Sequence, residues 1–145
     1  MVPSDTTRLR GDEPVRRPVV LVVEDEPPLL RALQRLLRPH FEVLAARNPT
    51  EARVAAAVRQ LDLILTDFQM PGENGVEGLR RLRELGHRAP ALIVTATVGA
   101  EVHAALRDGL ASAVVEKPWD VDALLSLALQ LAGRDPPEVS GQRAG

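Results

Sequence analysis

Short apolar runs alternate along the chain with amphipathic stretches, and this alternation limits the available folds more than any other feature. Each run is no longer than five residues, and several are rich in valine, isoleucine and leucine. Short apolar runs bounded by turn residues are typical of strands that are buried on both faces. Five strands are therefore predicted, at residues 19–23, 41–45, 63–65, 91–94 and 113–115.

Helical periodicity appears between these runs. Leucines recur at helical spacing from Pro27 until Pro39, which stops the first helix. Asn48 and Glu51 have the spacing of a capping box, and they open an alanine-rich helix that is predicted to reach about Arg59. The other predicted helices cover residues 76–85, about 99–108, and 121–131.

Strands that alternate one by one with helices predict an α/β fold. Wholly apolar strands imply a parallel sheet that is covered on both faces. Right-handed crossovers then give a doubly wound, five-stranded parallel sheet with helices on both faces.

The length of 145 residues suits one domain. We place this domain at residues 18–132 and find no sequence for a second one. Residues 1–17 and 133–145 mix proline, glycine and charged residues without periodicity, and they are predicted to be a disordered leader and a disordered tail.

Charge and composition exclude several classes of partner and site. The net charge of −2 provides no basic field, so neither direct nucleic-acid binding nor membrane association is expected. The absence of cysteine excludes disulfides and thiolate metal sites. No apolar run approaches the length of a membrane span, and a cytoplasmic location is expected by default.

Polar side chains stand where four of the predicted strands end. Glu24 and Asp25 follow the first strand, Asp67 the third, Thr95 the fourth and Lys117 the fifth. In an open parallel sheet these ends lie along one edge, which is the usual ligand crevice. Lys117 is the only lysine in a sequence that is otherwise rich in arginine.

This combination suits phosphoryl transfer. A phosphoryl group in transfer spreads negative charge over its oxygens, and each oxygen needs a positive or donating partner. Asp67 is the candidate nucleophile and would become an aspartyl phosphate. Lys117 and Thr95 are the candidate contacts to the phosphoryl oxygens.

The acidic side chains at this edge predict a metal site. Clustered carboxylates repel one another unless a cation joins them. Oxygen ligands without histidine or cysteine favour Mg²⁺, for which Mn²⁺ could substitute. Asp25 is the main candidate ligand, with Glu24 beside it and Asp67 also facing the ion.

The sequence resembles the receiver domains of two-component response regulators, in particular the chemotaxis-regulator type. The resemblance covers residues 19–132. The matching segments are Val22-Val23-Glu24-Asp25-Glu26, Asp67-Phe68-Gln69-Met70-Pro71-Gly72-Glu73-Asn74-Gly75, Thr95-Ala96 and Lys117-Pro118-Trp119.

The resemblance implies a flavodoxin-like strand order, 2-1-3-4-5, and a single-domain signalling protein of a two-component system or phosphorelay. Such a protein takes a phosphoryl group from a histidine kinase or phosphotransfer protein onto Asp67 and acts on an unknown downstream protein. It is not an enzyme beyond its own Mg²⁺-dependent phosphorylation and dephosphorylation. The main-chain carbonyl of Gln69 becomes a further metal ligand, and the Lys117–Pro118 peptide is expected to be cis. A homodimer through the face of the fourth helix, fifth strand and fifth helix is also consistent with the resemblance.

One departure from the family leaves an alternative open. Response regulators usually carry an aromatic residue three positions before the lysine, and Val114 stands there; under an alternative alignment the position falls on Ala113. The alternative function is a pseudo-receiver, an interaction module that works without phosphorylation. A phosphohydrolase of the haloacid-dehalogenase type is disfavoured, because it needs a second aspartate two residues after Asp25, where Pro27 stands.

Overall fold

Five parallel strands form the centre of the structure, a computed structural model that describes residues 16–134. The strand order is β2-β1-β3-β4-β5, and every neighbouring pair is parallel, as predicted. The elements in chain order are β1 (Val19–Val23), α1 (Pro27–Leu37), β2 (Glu42–Ala46), α2 (Pro49–Ala56), β3 (Leu63–Asp67), α3 (Gly75–Glu84), β4 (Ala91–Thr95), α4 (Ala100–Arg107), β5 (Ala113–Glu116) and α5 (Val121–Leu131).

The helices divide between the two faces of the sheet, and each face has its own apolar core. Leu21, Ile64 and Ile93 point to the face that α2, α3 and α4 cover. Their neighbours along the strands point to the other face, which α1 and α5 cover. Side chains alternate between the two faces along a strand, and helices cover both faces. Every residue of β1, β3 and β4 is therefore buried. The predicted doubly wound α/β fold is therefore confirmed.

The predicted leader and tail lie outside the described residues, apart from positions 16, 17, 133 and 134. The predicted domain limits of 18 and 132 stay a prediction. Within residues 16–134, no helix has the length and apolarity needed to cross a membrane.

Helix α2 ends three residues before the predicted limit. It was expected to reach about Arg59, but it ends at Ala56 and Ala57 forms its C-cap. Ala52 and Ala56 are its buried, core-facing side chains, and the next position on that side is polar Gln60. An additional turn would bury no apolar surface, and a short helix depends on such packing.

Strand β2 begins one residue later than predicted, at Glu42 instead of residue 41. The Phe41 N–H donates to the Leu37 carbonyl at 2.8 Å, so Phe41 completes the turn that closes α1. Glu42 is the first residue of this segment that bonds to the chain at the start of β1: its N–H donates to the Pro18 carbonyl at 2.9 Å.

The capping box predicted at the start of α2 is only half formed. The Asn48 side chain accepts the Glu51 N–H at 2.8 Å, but the Glu51 carboxylate accepts from the N–H of Arg47 and not of Asn48. A complete capping box is found instead at the start of α3, between Asn74 and Glu77.

Candidate functional site

Four strand ends bring the predicted site residues to one edge of the sheet. Asp67 is the last residue of β3, and Thr95 is the last residue of β4. Glu24 follows β1 directly, and Lys117 follows β5. Glu24, Asp67 and Thr95 are almost completely buried, with exposed fractions of 1%, 4% and 1%. Buried polar side chains of this kind need partners, since an unpaired one is costly.

Lys117 is the cation at the centre of this edge. Its Nζ lies 3.1 Å from Asp67 Oδ1 and 3.8 Å from Glu24 Oε1. The peptide bond between Lys117 and Pro118 is cis, as expected. The Lys117 N–H also donates to the Thr95 carbonyl at 2.8 Å, so the chain after β5 is joined to the end of β4.

Three carboxylates form a compact oxygen cluster. Glu24, Asp25 and Asp67 each offer one oxygen, and these oxygens all lie within 4.8 Å of one another. One ion could contact all three, and an all-oxygen donor set suits a hard cation such as Mg²⁺. The residues present therefore fit the metal that the sequence predicted.

The protonation of these groups reflects their burial. Burial raises the pKa of Glu24 to about 7; the Glu26 N–H, which donates to Glu24 Oε2 at 3.1 Å, opposes this rise, and Asp67 adds to it. Burial also raises the pKa of Asp67, although Lys117 acts in the opposite direction. For Lys117, burial lowers the pKa, but the carboxylates of Asp67 and Glu24 outweigh it, and the net pKa is raised. Burial thus disfavours the ionised forms of Glu24 and Asp67, and a bound cation would offset this.

Thr95 is held by its own loop. Its hydroxyl donates to the Thr97 carbonyl at 2.9 Å and accepts the Thr97 N–H at 3.3 Å. Thr95 is one residue beyond Val94, the strand partner of Asp67, and its hydroxyl is directed into the β4–α4 loop. Gln69 lies in the loop after β3 with an exposed side chain, and the role of its carbonyl stays a prediction.

Sequence reasoning missed a set of contacts that fixes the loop after Asp67. The Glu73 carboxylate binds Arg53 of α2 at 2.9 Å and Arg81 of α3 at 2.6 Å. The Asn74 amide donates to the Glu101 carboxylate of α4 at 3.2 Å and 3.3 Å. Only the Asn74 position carried a sequence signal, because an asparagine three residues before a glutamate is a helix-start pattern. Glu73 joins residues that are distant in sequence, and no local pattern indicates this.

Comparison with known proteins agrees with this geometry. The sequence matches the family described as the response regulator receiver domain over residues 20–129. The chain belongs to the response regulator receiver domain family. Two-component signalling is the context of this family, and phosphorylation of an aspartate with Mg²⁺ is typical of it.

The relatives of this receiver domain include a transcriptional regulator and a receiver protein. The hydrogenase transcriptional regulatory protein HoxA of Bradyrhizobium diazoefficiens is 36% identical over 107 residues, which are 73% of this chain and 22% of that protein. A response regulator receiver protein of Anaeromyxobacter sp. is 38% identical over 109 residues, 74% of this chain and 45% of that protein. The chain thus spans less than half the length of these curated relatives.

Solved structures show the same fold. The signal receiver domain of an HD domain-containing protein from Pseudomonas fluorescens Pf-5 has a TM-score of 0.73 at 31% identity, covering 81% of this chain and 94% of that one. The chemotaxis protein CheY4 of Vibrio cholerae has a TM-score of 0.75 at 24% identity, covering 80% and 99%.

Proposed function

We propose that this receiver domain accepts a phosphoryl group on Asp67 from a histidine kinase or phosphotransfer protein, with Mg²⁺ bound by Glu24 and Asp25. The observation that carries the proposal is the contact of Lys117 Nζ with Asp67 Oδ1 at 3.1 Å, beside a cluster of three carboxylate oxygens. A carboxylate that lies next to an ammonium and a hard cation is suited to receive an anionic group.

The chemistry needs no general base, because an ionised carboxylate is already a nucleophile. An oxygen of Asp67 bonds to phosphorus while the bond between phosphorus and the donor's imidazole nitrogen breaks. That nitrogen keeps the electron pair and is protonated as the donor leaves. Bound Mg²⁺ supplies charge neutralisation for the phosphoryl oxygens.

The residues around Asp67 have separate roles in this proposal. Lys117 exchanges its contact with Asp67 for one with a phosphoryl oxygen. The Thr95 hydroxyl gives up its bond to the Thr97 carbonyl and donates to another oxygen. Gln69 contributes its main-chain carbonyl to the metal.

We also propose that the chain is a stoichiometric phosphoacceptor and not an enzyme that turns over a separate substrate. Its output is contact with a downstream protein, and the face of α4, β5 and α5 is the candidate surface for that contact or for a homodimer.

The test is phosphorylation with acetyl phosphate and Mg²⁺, followed by intact mass measurement. We expect a mass gain of one phosphoryl group in the wild type and in Asp108→Asn, an exposed carboxylate far from the site. The gain should disappear in Asp67→Asn and after addition of a chelator. An adduct that persists in Asp67→Asn would contradict the assignment.

Val114 favours a second candidate, the pseudo-receiver that works without phosphorylation. It is half-buried in β5 and packs against the core between the sheet and α2, α3 and α4, where family members usually place an aromatic ring. The same mass measurement separates the two functions, since a pseudo-receiver gains no phosphoryl group.

A further inference from the structure

Two adjoining depressions lie at the amino ends of the strands, on the side of the molecule opposite Asp67. One is lined by the chain after α2 and the chain after α3, and it has a volume of about 650 Å³. The other lies at the amino ends of β1 and β2 and has a volume of about 660 Å³. Arg59 and Gln60 line both depressions, so we treat them as one surface and call it the basal groove.

Two exposed apolar side chains line the first depression of the basal groove, whose surface is otherwise largely polar. Val58 and Leu85 line the first depression with exposed fractions of 79% and 61%, and Val54, one helical turn before Val58, is exposed at 69%. Within residues 16–134 the only other large apolar side chain with comparable exposure is Val121. Isolated exposed apolar residues are common, but two at one depression, with a third on the adjoining helix, favour a contact surface.

Arginines line both depressions: Arg88 lies beside Val58 and Leu85, Arg59 is shared, and three more line the second depression. Two carboxylates, Glu42 and Asp62, also line the groove, but both are engaged: Glu42 is paired with Arg59, and Asp62 Oδ2 accepts the Val19 N–H at 2.8 Å. A chain with a net charge of −2 therefore concentrates positive charge here. The arginines that line the groove are Arg16, Arg17, Arg59, Arg88 and Arg134.

Local structure accounts for part of this pattern. Helices α2 and α3 end at this side, and cations are favoured near helix carboxyl ends. Arg17 donates to the Arg38 carbonyl at 3.3 Å, and Arg134 donates to the Arg16 carbonyl at 2.9 Å. These bonds explain why arginines are tolerated here. They do not explain why, among residues 16–134, Val58 and Leu85 of the neighbouring depression are so exposed.

We propose that the basal groove binds an acidic peptide segment of a partner protein. Aliphatic side chains of that segment would contact Val58 and Leu85, while its carboxylates would pair with Arg88 and with Arg16, Arg17 and Arg134 of the second depression; Arg59 is already paired with Glu42. Charge complementarity selects an acidic partner, and the exposed side chains of Val58 and Leu85 favour a peptide over a nucleic acid, whose phosphates would gain nothing from them.

The location of the groove separates this contact from phosphorylation. The strands of the sheet centre are five residues long, so the groove lies roughly 16 Å from the carboxyl edge at about 3.3 Å per residue. A peptide bound there leaves Asp67 and Lys117 accessible to a phosphoryl donor.

The test begins with selection of random twelve-residue peptides, displayed on phage, against the full chain. We expect the enriched peptides to be rich in aspartate and glutamate together with leucine, isoleucine or valine. A fluorescein-labelled peptide from the enriched pool is then titrated with protein, and its affinity is measured by fluorescence anisotropy.

Two groove variants and one control decide the outcome. Leu85→Ser and Arg88→Glu should each weaken the peptide's binding by roughly tenfold. Val121→Ser, which removes a comparably exposed side chain at the start of α5, should leave it unchanged. Circular dichroism and the Mg²⁺-dependent phosphorylation of each variant verify that it is folded.

Three results would overturn the proposal. The first is a selection that enriches no peptide, including the case in which the chain's own segments fill the groove. The second is an enriched peptide whose affinity is the same for Leu85→Ser and wild type. The third is a single-stranded DNA oligonucleotide that binds as tightly as the peptide and is unaffected by Leu85→Ser, which indicates a purely electrostatic surface.

Discussion

At the scale of single residues, Gly75 controls how closely α3 approaches the phosphoacceptor strand. Its N–H donates to the Phe68 carbonyl at 2.8 Å. A Cβ at this position would overlap the Asp67 carbonyl oxygen and would lie 3.0 Å from both the Asp67 carbonyl carbon and Phe68 Cα. All of these neighbours are backbone atoms, so a side chain here must displace the chain that carries Asp67.

Replacing this glycine should therefore damage both stability and chemistry. We expect Gly75→Ala to lower the free energy of unfolding by about 1–3 kcal/mol, the usual cost of forcing extra atoms into a packed site. The same displacement should slow phosphorylation by acetyl phosphate. Urea unfolding and intact mass measurements give the two values.

Gly99 provides the matched control. It is the N-cap of α4, and nothing lies within 4 Å of a Cβ built there. Gly99→Ser should be neutral or slightly stabilising, because serine can cap a helix. If Gly75→Ala were as mild as Gly99→Ser, the close approach of α3 to Asp67 would not be a constraint on the fold.

Single residues also show what the sequence predicts well and what it does not. Asp67 and Lys117 were predicted to be neighbours because each follows a strand end in a parallel sheet, and topology alone brings such ends together. Glu73 was missed because its partners, Arg53 and Arg81, lie on two different helices. Their proximity depends on how α2 and α3 pack, which no local pattern records.

At the scale of elements, the loop between β3 and α3 connects the phosphoacceptor strand to three helices. Glu73 binds α2 and α3, and Asn74 reaches α4 through Glu101. Asn74 also begins α3, where its side chain accepts the Glu77 N–H at 2.9 Å. One side chain thus caps one helix and contacts the next.

Removing this side chain should cost more than removing an ordinary cap. We expect Asn74→Ala to lower the free energy of unfolding by about 1 kcal/mol for the lost cap. Loss of the hydrogen bond from the Asn74 amide to the exposed Glu101 carboxylate should add a few tenths of a kcal/mol, no more than an exposed ion pair contributes. Chemical denaturation of single and double variants measures both contributions.

Asn48 is the comparison for this prediction. It caps α2 through the Glu51 N–H at 2.8 Å and supplies the cap alone. Asn48→Ala should therefore cost less than Asn74→Ala, and the difference should vanish in a Glu101→Ala background. If Asn74→Ala lowered the free energy of unfolding by the same amount with Glu101 present and with Glu101→Ala, the contact between Asn74 and Glu101 would contribute nothing to stability.

At the same scale, the structure shows which face of the sheet each residue of β5 takes. Val114 pairs with Ile93 and packs on the face of the sheet that α4 covers, whereas Ala113 packs on the opposite face. Val114 therefore occupies the position that faces α4. The structure shows this orientation directly, whereas strand boundaries read from a sequence are uncertain by about 2–4 positions, which is up to the full length of β5 itself.

At the scale of the whole molecule, the two edges of the sheet differ in charge. Three carboxylate oxygens meet at the carboxyl edge, while arginines surround the basal groove at the amino edge. All five helices run from the carboxyl edge of the sheet, which is acidic, to the amino edge, which is basic. Helix dipoles favour this arrangement, but they do not offset the repulsion among carboxylates that are buried together.

This repulsion predicts that Mg²⁺ stabilises the folded chain. An ion that binds only the folded state adds about 2.7 kcal/mol to the free energy of unfolding at one hundred times its Kd. We expect MgCl₂ to raise the thermal unfolding midpoint at constant ionic strength, and a chelator to reverse the rise. Glu84→Gln, which removes an exposed carboxylate at the far end of α3, should respond as the wild type does.

Asp67→Asn separates metal binding from general effects of salt. The variant removes one of the three clustered charges but leaves Glu24 near Lys117, at 3.8 Å. Without metal it should be at least as stable as the wild type, because less negative charge is buried. Its gain from MgCl₂ should be smaller, because one ligand oxygen has lost its charge. If MgCl₂ stabilised Asp67→Asn as much as the wild type, the ion would bind away from Asp67. That result would contradict a role of the metal in the proposed phosphoryl transfer.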